Sequence, residues 1–413
     1  MSYRRVALAV LAASMPVVAA AQEHIHTATC GHQFIEDQGV LQVAQTLAGV
    51  AGAGQAASVN NAAAAPRMQF VLNNLGGVGQ GTQARAGFEK AAAMWAGVLK
   101  DPITIKLDVQ FAALGAGILG STGSTTNTIT YAGLRTLLAA DATTYWDKRA
   151  AGVLKTGPLS FVTNEPPTSG AIDSRRRFLD SNNSTDNNFI QINTAQVKAL
   201  GLNPIYAGNN PGQRDGSVSF STLFSWDFDP SDGISPGTID FVGVAAHEIG
   251  HALGFRSGVD LADINALPGV ALPGRRGLNN LAWGTVHDLQ RYGIFGGSPT
   301  LDWSIGGTPC FSINAGKNCL APLSTGALNG DRRQASHWKD DALTNKLIGI
   351  MDPTATGPNN TRPLMKITRM DLIAFDTMGY DIGVPEPASW AMLIAGFGLT
   401  GAVMRRRRRA LAA

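Results

Sequence analysis

The stretch VAAHEIGHALGFRSGVD, from Val244 to Asp260, predicts both a helix and a chemical site. Apolar residues recur at helical spacing before its first histidine, and Gly254 is placed to end the helix because glycine permits the left-handed turn that closes one. His247 and His251 are four residues apart, so their rings lie on one face of the helix, about one turn apart. Two side chains that can bind one metal ion are therefore expected to stand together.

The residue types in this pattern indicate metal-dependent hydrolysis. Imidazole nitrogens suit Zn²⁺, which lowers the pKa of a bound water towards neutrality. Glu248 can then take a proton from that water as hydroxide attacks a peptide carbonyl, and pass it to the leaving amine. The same pattern also arises by chance on buried helices, where both histidines are hydrogen-bonded core residues, but the export signals described below favour the metal site.

A third metal ligand is missing from this stretch. Catalytic zinc normally has three protein ligands, and the position three residues after Gly254, where the third is often found, holds Ser257, a poor zinc ligand. Asp260 is a possible ligand, but the chain would need a longer loop after the helix to bring it back to the metal. His287 lies in WGTVHDLQRY, which has a helical pattern and favours an ordinary structural histidine. The fourth candidate is His337, about 80 residues beyond the helix.

His337 stands in a context that resembles a known family. It lies in QASHWKDD, followed by IGIMDP at 348–353 and ITRMDLIAFDTMGYDI at 367–382. Here the chain resembles the leishmanolysin-type metzincins, in which a long insertion separates HExxHxxGF from a distant third histidine beside serine and tryptophan. The resemblance is specific in three short blocks and architectural across the rest of residues 68–382.

This resemblance implies a fold and a set of roles. It implies a zinc endopeptidase that cleaves protein or peptide substrates, with His247, His251 and His337 as zinc ligands, Glu248 as general base and Met351 in the turn beneath the metal. The implied fold is α+β and zincin-like, with an N-terminal mixed twisted sheet, the active-site helix, and a loop-rich C-terminal subdomain ending in a helix. The other implied matches are Trp338, beside the third ligand, and the closing helix Thr368–Met378. An inactive surface or matrix structural protein on the same scaffold is the alternative, and the intact general base favours the enzyme.

The N-terminus has the pattern of a secretory signal peptide over residues 1–21. Arg4 and Arg5 precede an apolar run from Val6 to Val18, and three alanines then offer a small-residue cleavage site. We therefore expect the mature chain to begin at Gln22.

The chain has two export addresses, the N-terminal signal peptide and the C-terminal residues 384–409. VPEPASWAMLIAGFGLTGAVMRRRRR contains a Pro-Glu-Pro turn, a largely apolar stretch of roughly 16 residues and five arginines. Such a stretch can just span a bilayer, with the arginines held on the cytoplasmic side. The segment resembles a PEP-CTERM sorting tail, which implies an exosortase that removes the anchor during export to the surface or matrix of a Gram-negative bacterium. A permanent single-span anchor is the alternative.

The charge balance excludes one class of partner. The whole chain has 33 basic and 30 acidic residues, but seven arginines and one glutamate lie in the two addresses, which leaves 26 against 29. The mature protein is therefore slightly acidic. Its short arginine runs are ordinary loop charges, so no nucleic-acid partner is expected.

The cysteines fit an exported protein. Cys310 and Cys319 enclose a small loop, CFSINAGKNC, and an oxidising compartment favours a disulfide between them. Cys30 is left over, in HIHTATCGH, a tract that holds three of the seven histidines. Cys30-Gly31-His32 is similar to a short latency switch, in which a thiolate fills the open position of the zinc; a metal-binding tract and a featureless terminus are the alternatives.

Composition divides the rest of the chain. Residues 22–66 are rich in alanine and glycine and poor in aromatics, which is typical of a weakly structured pro-segment or spacer, and the metalloprotease domain is expected over 67–383. The glycine-rich stretch Gly115–Gly123 lacks the lysine of a phosphate loop and is expected to be a surface loop. The Asp227–Asp232 loop could hold calcium, but such loops are more often plain turns.

The domain is expected to begin with a crossover unit. Met68–Asn73 and Ile103–Phe111 have strand patterns, and Thr82–Leu99 between them has apolar residues at helical spacing. Strand, helix and strand in succession predict a parallel pair. Further strands are expected at Asn127–Tyr131, Asn188–Ile192 and Ser217–Phe220, and further helices at Ala132–Ala140 and Thr144–Val153.

Overall fold

The computed structural model describes residues 29–41, 67–115, 117–167, 172–208, 210, 212–266, 278–356 and 364–383. Within these residues the fold is α+β, with mixed sheets and nine α-helices. The strands are β1 (Thr29–Leu41), β2 (Gln69–Gly76), β3 (Thr104–Ala112), β4 (Ile118–Thr130), β5 (Phe161–Thr163), β6 (Phe178–Asp180), β7 (Phe189–Asn193), β8 (Gly216–Ser221), β9 (Trp226–Asp227), β10 (Ile239–Asp240), β11 (Arg291–Phe295), β12 (Ser298–Asp302), β13 (Cys310–Phe311) and β14 (Ala321–Pro322). The helices are α1 (Gln83–Val98), α2 (Tyr131–Asp141), α3 (Tyr145–Ala151), α4 (Thr185–Asn188), α5 (Thr194–Ala199), α6 (Phe241–Ala252), α7 (Val259–Asn265), α8 (Asp341–Thr344) and α9 (Arg369–Asp376).

The first sheet has the strand order β1-β4-β8-β3-β2, and β7 also pairs with β4. β2, β3 and β8 run parallel to one another, whereas β4 runs antiparallel to β8. The parallel pair β2 and β3 is joined by α1, so the predicted crossover unit is confirmed. α1 begins at the predicted place because the side chain of Thr82 accepts a hydrogen bond from the backbone N–H of Arg85 and caps the helix.

Aromatic packing holds α1 and α6 on this sheet. The Phe241 ring, at the start of α6, lies 5.4 Å from that of Phe88 on α1 and 4.6 Å from that of Phe220 on β8, and all three side chains are fully buried. About two turns further along α1, the indole N–H of Trp95 donates to the carbonyl oxygen of Ala246 at 2.8 Å. α6, the helix with the histidine pair, is therefore fixed along its length against α1 and the sheet.

The stretch Gly115–Gly123 differs from the prediction of a surface loop from Ile118 onwards, because β4 begins at that residue. The small residues suit a strand that α6 approaches closely: a Cβ on Gly120 would lie 2.7 Å from a carboxylate oxygen of Glu248. Glycine was a misleading sign of a loop here, since it marks a close approach of two elements.

Residues 29–41 also differ from the prediction of a weakly structured spacer over 22–66. Their backbone forms β1, which pairs in parallel with β4 from Ile118 to Ile129. The other residues between 22 and 66, and the signal peptide, lie outside the described residues.

A second six-stranded sheet has the order β14-β13-β11-β12-β5-β6. Its strands β11 to β14 lie in the C-terminal region that the sequence suggested was loop-rich, whereas β5 and β6 precede α6. The helical pattern around His287 gives only a short 3-10 turn over His287–Gln290, because β11 begins at Arg291. β11 and β12 form a tight hairpin closed by Gly296 and Gly297, whose φ angles of 58° and 80° favour glycine. Cys310 and Cys319 are disulfide-bonded beside this sheet.

Candidate metal centre

α6 presents the histidine pair from a fully buried position. The Asp240 side chain accepts a hydrogen bond from the N–H of Gly243 at 2.8 Å and caps the start of the helix. At the other end, Gly254 has φ 119°, and the N–H of Phe255 donates to the carbonyl of Gly250. This geometry confirms the prediction that Gly254 ends the helix.

The structure brings three imidazoles together. The Nε2 atom of His247 lies 3.0 Å from that of His251 and 3.2 Å from that of His337. All three side chains are at most 3% exposed. They form one of the two groups among the described residues whose geometry could hold a metal ion.

Backbone carbonyls select the tautomer of each ring. The Nδ1 atom of His247 lies 2.7 Å from the carbonyl oxygen of Ile350, that of His251 lies 2.6 Å from Phe255 O, and that of His337 lies 3.1 Å from Gln334 O. Since a carbonyl can only accept, each Nδ1 is assigned the proton. Each Nε2 is then left with a lone pair directed into the centre.

The donor set fits zinc. Three unprotonated nitrogens so close together repel one another unless a cation lies between them. Zinc–imidazole bonds of about 2.0–2.1 Å in tetrahedral geometry place the nitrogens about 3.3 Å apart, close to the 3.0 and 3.2 Å found here. Burial also lowers the pKa of His247 to about 4, so its ring is neutral near pH 7, as a metal ligand must be.

The side chain of Glu248 extends from α6 to β4. The hydroxyl of Thr122 on β4 donates to its Oε2 atom at 2.5 Å, and the carboxylate is fully buried. Glu248 and His247 line one pocket, whose other lining residues are Leu119, Val244, Asp352, Pro353, Thr354, Ala355 and Met365. Thr122 and Gly120 are the parts of this arrangement that sequence reasoning missed, because residues 115–123 were expected to form a surface loop.

The other candidate third ligands have structural partners of their own. Asp260 accepts hydrogen bonds from the N–H of Ala335 at 2.6 Å and from the hydroxyl of Ser336 at 2.5 Å, so it anchors the loop that carries His337. The Ser257 hydroxyl donates to Asp288, 2.6 Å away. The His287 ring packs among aromatic side chains, with the ring of Phe255 at 4.2 Å, and its nitrogens have no hydrogen-bond partner in the described part of the chain.

Met351 lies against the helix turn between the two histidines of α6. It is fully buried, and a Cβ on Gly250 would overlap its sulfur atom. Its carbonyl accepts a hydrogen bond from the N–H of Trp338 at 3.1 Å, which joins the Met351 turn to the His337 loop. A glycine between the two histidines is therefore required by the methionine beneath them.

The structure also describes the backbone at Cys30 and the Asp227–Asp232 loop. Cys30 lies in β1, where its neighbours Gly31 and His32 pair with Ser121 and Thr122 of β4. The Asp227 side chain accepts from the N–H groups of Asp229 and Ser235, at 2.9 and 2.8 Å, as in an ordinary turn.

Comparison with known families identifies the C-terminal address. Residues 383–409 match the model of the PEP-CTERM protein-sorting motif, so the predicted sorting tail is confirmed. The motif implies recognition by exosortase-type sorting machinery and export to the surface or the extracellular space. Neither the search of curated proteins nor that of solved structures finds a match.

The predicted membrane span falls within the tail, and residues 384–413 lie outside the described residues. No helix that the structure describes is long and apolar enough to cross a membrane.

Proposed function

We propose that this chain is an exported zinc-dependent endopeptidase with a zincin-like fold of the leishmanolysin type. The observation that carries the proposal is the set of three buried imidazoles whose Nε2 atoms converge while their Nδ1 atoms are held by carbonyls. A carboxylate stands next to the first ligand on the same helix, which is the arrangement that metal-dependent hydrolysis needs.

In this proposal His247, His251 and His337 hold the zinc ion. When bound, zinc polarises a peptide carbonyl and makes water a nucleophile near neutral pH. Glu248 takes the proton of the attacking water and delivers it to the leaving amine. Thr122 holds the Oε2 atom of that carboxylate by the 2.5 Å hydrogen bond, so the other oxygen is oriented for the transfer.

The order of the elements supports the fold assignment. A mixed sheet precedes α6; the third histidine, the Met351 turn and α9 then follow in the order that the family resemblance implies. Buried contacts join these parts, since Met351 lies against α6 and Trp338 bonds to the methionine turn.

The sorting tail supports the cellular setting. We place the protein at the surface or in the matrix of a Gram-negative bacterium, with the apolar part of residues 384–409 as a transient anchor in the inner membrane until an exosortase removes it. An extracellular setting also agrees with the Cys310–Cys319 disulfide.

Latency is part of the proposal. β1 pairs with β4 from Ile118 to Ile129, a range that includes Thr122, the donor to Glu248. The register of this pairing puts Gly31 opposite Ser121. The Cys30 thiolate would fill the open zinc position in the precursor, and removal of residues 22–66 would uncover β4.

A cleavage assay with paired variants tests the enzyme. Full-length protein is assayed on casein before and after limited proteolysis, and bound zinc is measured. We expect Glu248→Gln to keep its zinc and to lose activity by about 10²–10⁴-fold, because a general base is lost. We expect His337→Ala to lose both zinc and activity.

Glu89→Gln is the matched control, because Glu89 is an exposed carboxylate on α1. It should behave as the wild type does. Equal activity in all variants would refute the mechanism, and a wild-type protein that binds zinc but cleaves nothing would favour a structural role at the surface.

A further inference from the structure

The carboxylate of Asp371 is an unexplained feature near the metal centre. It lies in the first turn of α9 and is fully buried. Burial raises the pKa of this group, whereas the hydrogen bonds that it accepts lower it. A buried carboxylate with many donors is costly to assemble, so its partners indicate what it holds in place.

Five hydrogen-bond contacts converge on this carboxylate. Oδ2 accepts from the N–H of Ile350 at 2.9 Å and from the N–H and hydroxyl of Thr368 at 2.7 and 3.0 Å. Oδ1 accepts from the indole N–H of Trp338 at 2.8 Å and more weakly from the N–H of Met351 at 3.4 Å. The group thus bonds three separate pieces of chain: the His337 loop, the methionine turn and α9.

Two of these pieces carry the metal centre. The carbonyl of Ile350, whose N–H binds Asp371, accepts the Nδ1 proton of His247. Trp338, whose indole binds the same carboxylate, directly follows His337. A single side chain is therefore hydrogen-bonded to the supports of two proposed ligands, which lie on different elements.

Close packing keeps the carboxylate in this position. A Cβ on Gly349 would overlap both carboxylate oxygens, so only glycine fits before Ile350. Helix capping alone requires no contact with Ile350 or Trp338, since the Thr368 contacts complete the capping box.

We propose that Asp371 is a positioning residue for the metal centre, which sets the geometry of His247 through Ile350 and of His337 through Trp338. This inference rests on the proposed zinc site. Partners of this outer kind typically change metal affinity by 10–100-fold when they are removed.

The test measures zinc affinity of the full-length chain by competition with a coloured chelator, and the visible spectrum after Co²⁺ is substituted. Asp371→Asn keeps the size of the side chain but turns an NH₂ group towards the donors that one carboxylate oxygen accepts from in the wild type. We expect a zinc Kd about 10–100-fold higher than that of the wild type and altered cobalt bands.

A control separates positioning from helix capping. Asp147→Asn makes the same change at the same capping-box position of α3. It should leave the zinc Kd within about threefold of the wild-type value, even if Tm falls. A folded Asp371→Asn protein with unchanged Kd and cobalt bands would overturn the inference.

A second variant decides the matter if Asp371→Asn does not fold. Trp338→Phe removes the indole donor together with part of the ring. Trp303→Phe is its control, because it loses the same atoms at an equally buried indole, which donates to the carbonyl of Asp288. A weaker zinc affinity in the first variant alone supports the inference, and equal affinities overturn it. A wild-type protein that binds neither ion would instead refute the proposed function itself.

Discussion

At the scale of single residues, the centre depends on carbonyl and carboxylate oxygens, which can only accept hydrogen bonds. The carbonyls of Ile350 and Phe255 place protons on the Nδ1 atoms of the α6 histidines, and the Thr122 hydroxyl donates to Glu248. These contacts leave each converging Nε2 atom unprotonated and hold the carboxylate in one orientation.

Thr122→Val tests the orientation of Glu248, the proposed general base. The substitution preserves the shape of the side chain but removes the hydroxyl that donates to Glu248. We expect kcat to fall roughly tenfold with bound zinc unchanged, because the base is disoriented while the ligands are intact. Steady-state kinetics and metal analysis measure the two quantities.

Thr125→Val is the matched control for this prediction. Thr125 is also buried on β4, but its hydroxyl donates to the carbonyl of Arg214, away from the centre. Equal losses of kcat in both variants would mean that the Thr122 hydroxyl serves only the strand.

The proposed ligands were accessible to sequence reasoning, whereas the residues that hold them in place were not. Four-residue spacing on a helix is a local property, so His247 and His251 were predicted to share a face. His337 needed the family resemblance, because ninety residues separate it from His247 in the chain. Thr122 and Asp371 are common residue types whose roles at the centre depend on contacts with distant elements. The capping-box spacing of Thr368 and Asp371 marks only the start of a helix.

At the scale of elements, the pairing of β1 with β4 couples the N-terminal segment to the site. β4 carries both Gly120 and Thr122, which contact Glu248. A strand that pairs along this edge occupies backbone groups that an extended peptide could otherwise use.

Cys30→Ser tests the latency proposal. We expect the precursor with serine to be several-fold more active than the wild-type precursor, because an alcohol is a far poorer zinc ligand than a thiolate. Casein cleavage by both precursors is compared with that of protein from which residues 22–66 have been removed.

Cys30→Ser and the removal of residues 22–66 distinguish inhibition by the Cys30 thiol from inhibition by the β1 backbone. Activation by removal alone would assign latency to the β1 backbone, and equal activation by both would assign it to the thiol. If neither raises activity, residues 22–66 do not confer latency.

Elements built from local contacts were predicted better than those built from distant pairing. α1, α6 and α9 begin near capping residues and follow apolar periodicity, so their positions were expected to within a few residues. The second sheet was missed because β12 pairs with β5, far away in the chain, and because its strands are short.

At the scale of the whole molecule, buried carboxylates cluster where the chain closes on itself. Burial raises the pKa values of Asp101, Asp141 and Asp376 to about 7, and repulsion from Asp147 and Asp381 adds to the effect. These groups join the ends of α1, α2 and α9 beside the last described residues, where the N–H of Gly383 donates to Val98 O at 2.8 Å.

The raised pKa values predict how stability depends on pH. The folded state holds these protons more tightly than the unfolded state, whose aspartates titrate near 4, so the stabilising contribution is complete below about pH 4 and is lost as pH rises through about 7. We therefore expect Tm to fall between pH 6 and pH 8. Thermal unfolding followed by circular dichroism measures this change.

Asp376→Asn identifies the cluster as the cause. The amide oxygen can still accept from the Thr144 hydroxyl and the N–H of Asp147, while the negative charge is removed. We expect Tm at pH 8 to rise by roughly 2–4 °C for each kcal/mol of repulsion relieved, with little change at pH 5, where the wild-type group is already neutral. Asp232→Asn, at an exposed carboxylate, should leave the pH profile unchanged. A wild-type Tm that is flat from pH 6 to 8, or an equal rise in both variants, would place the titrating groups elsewhere.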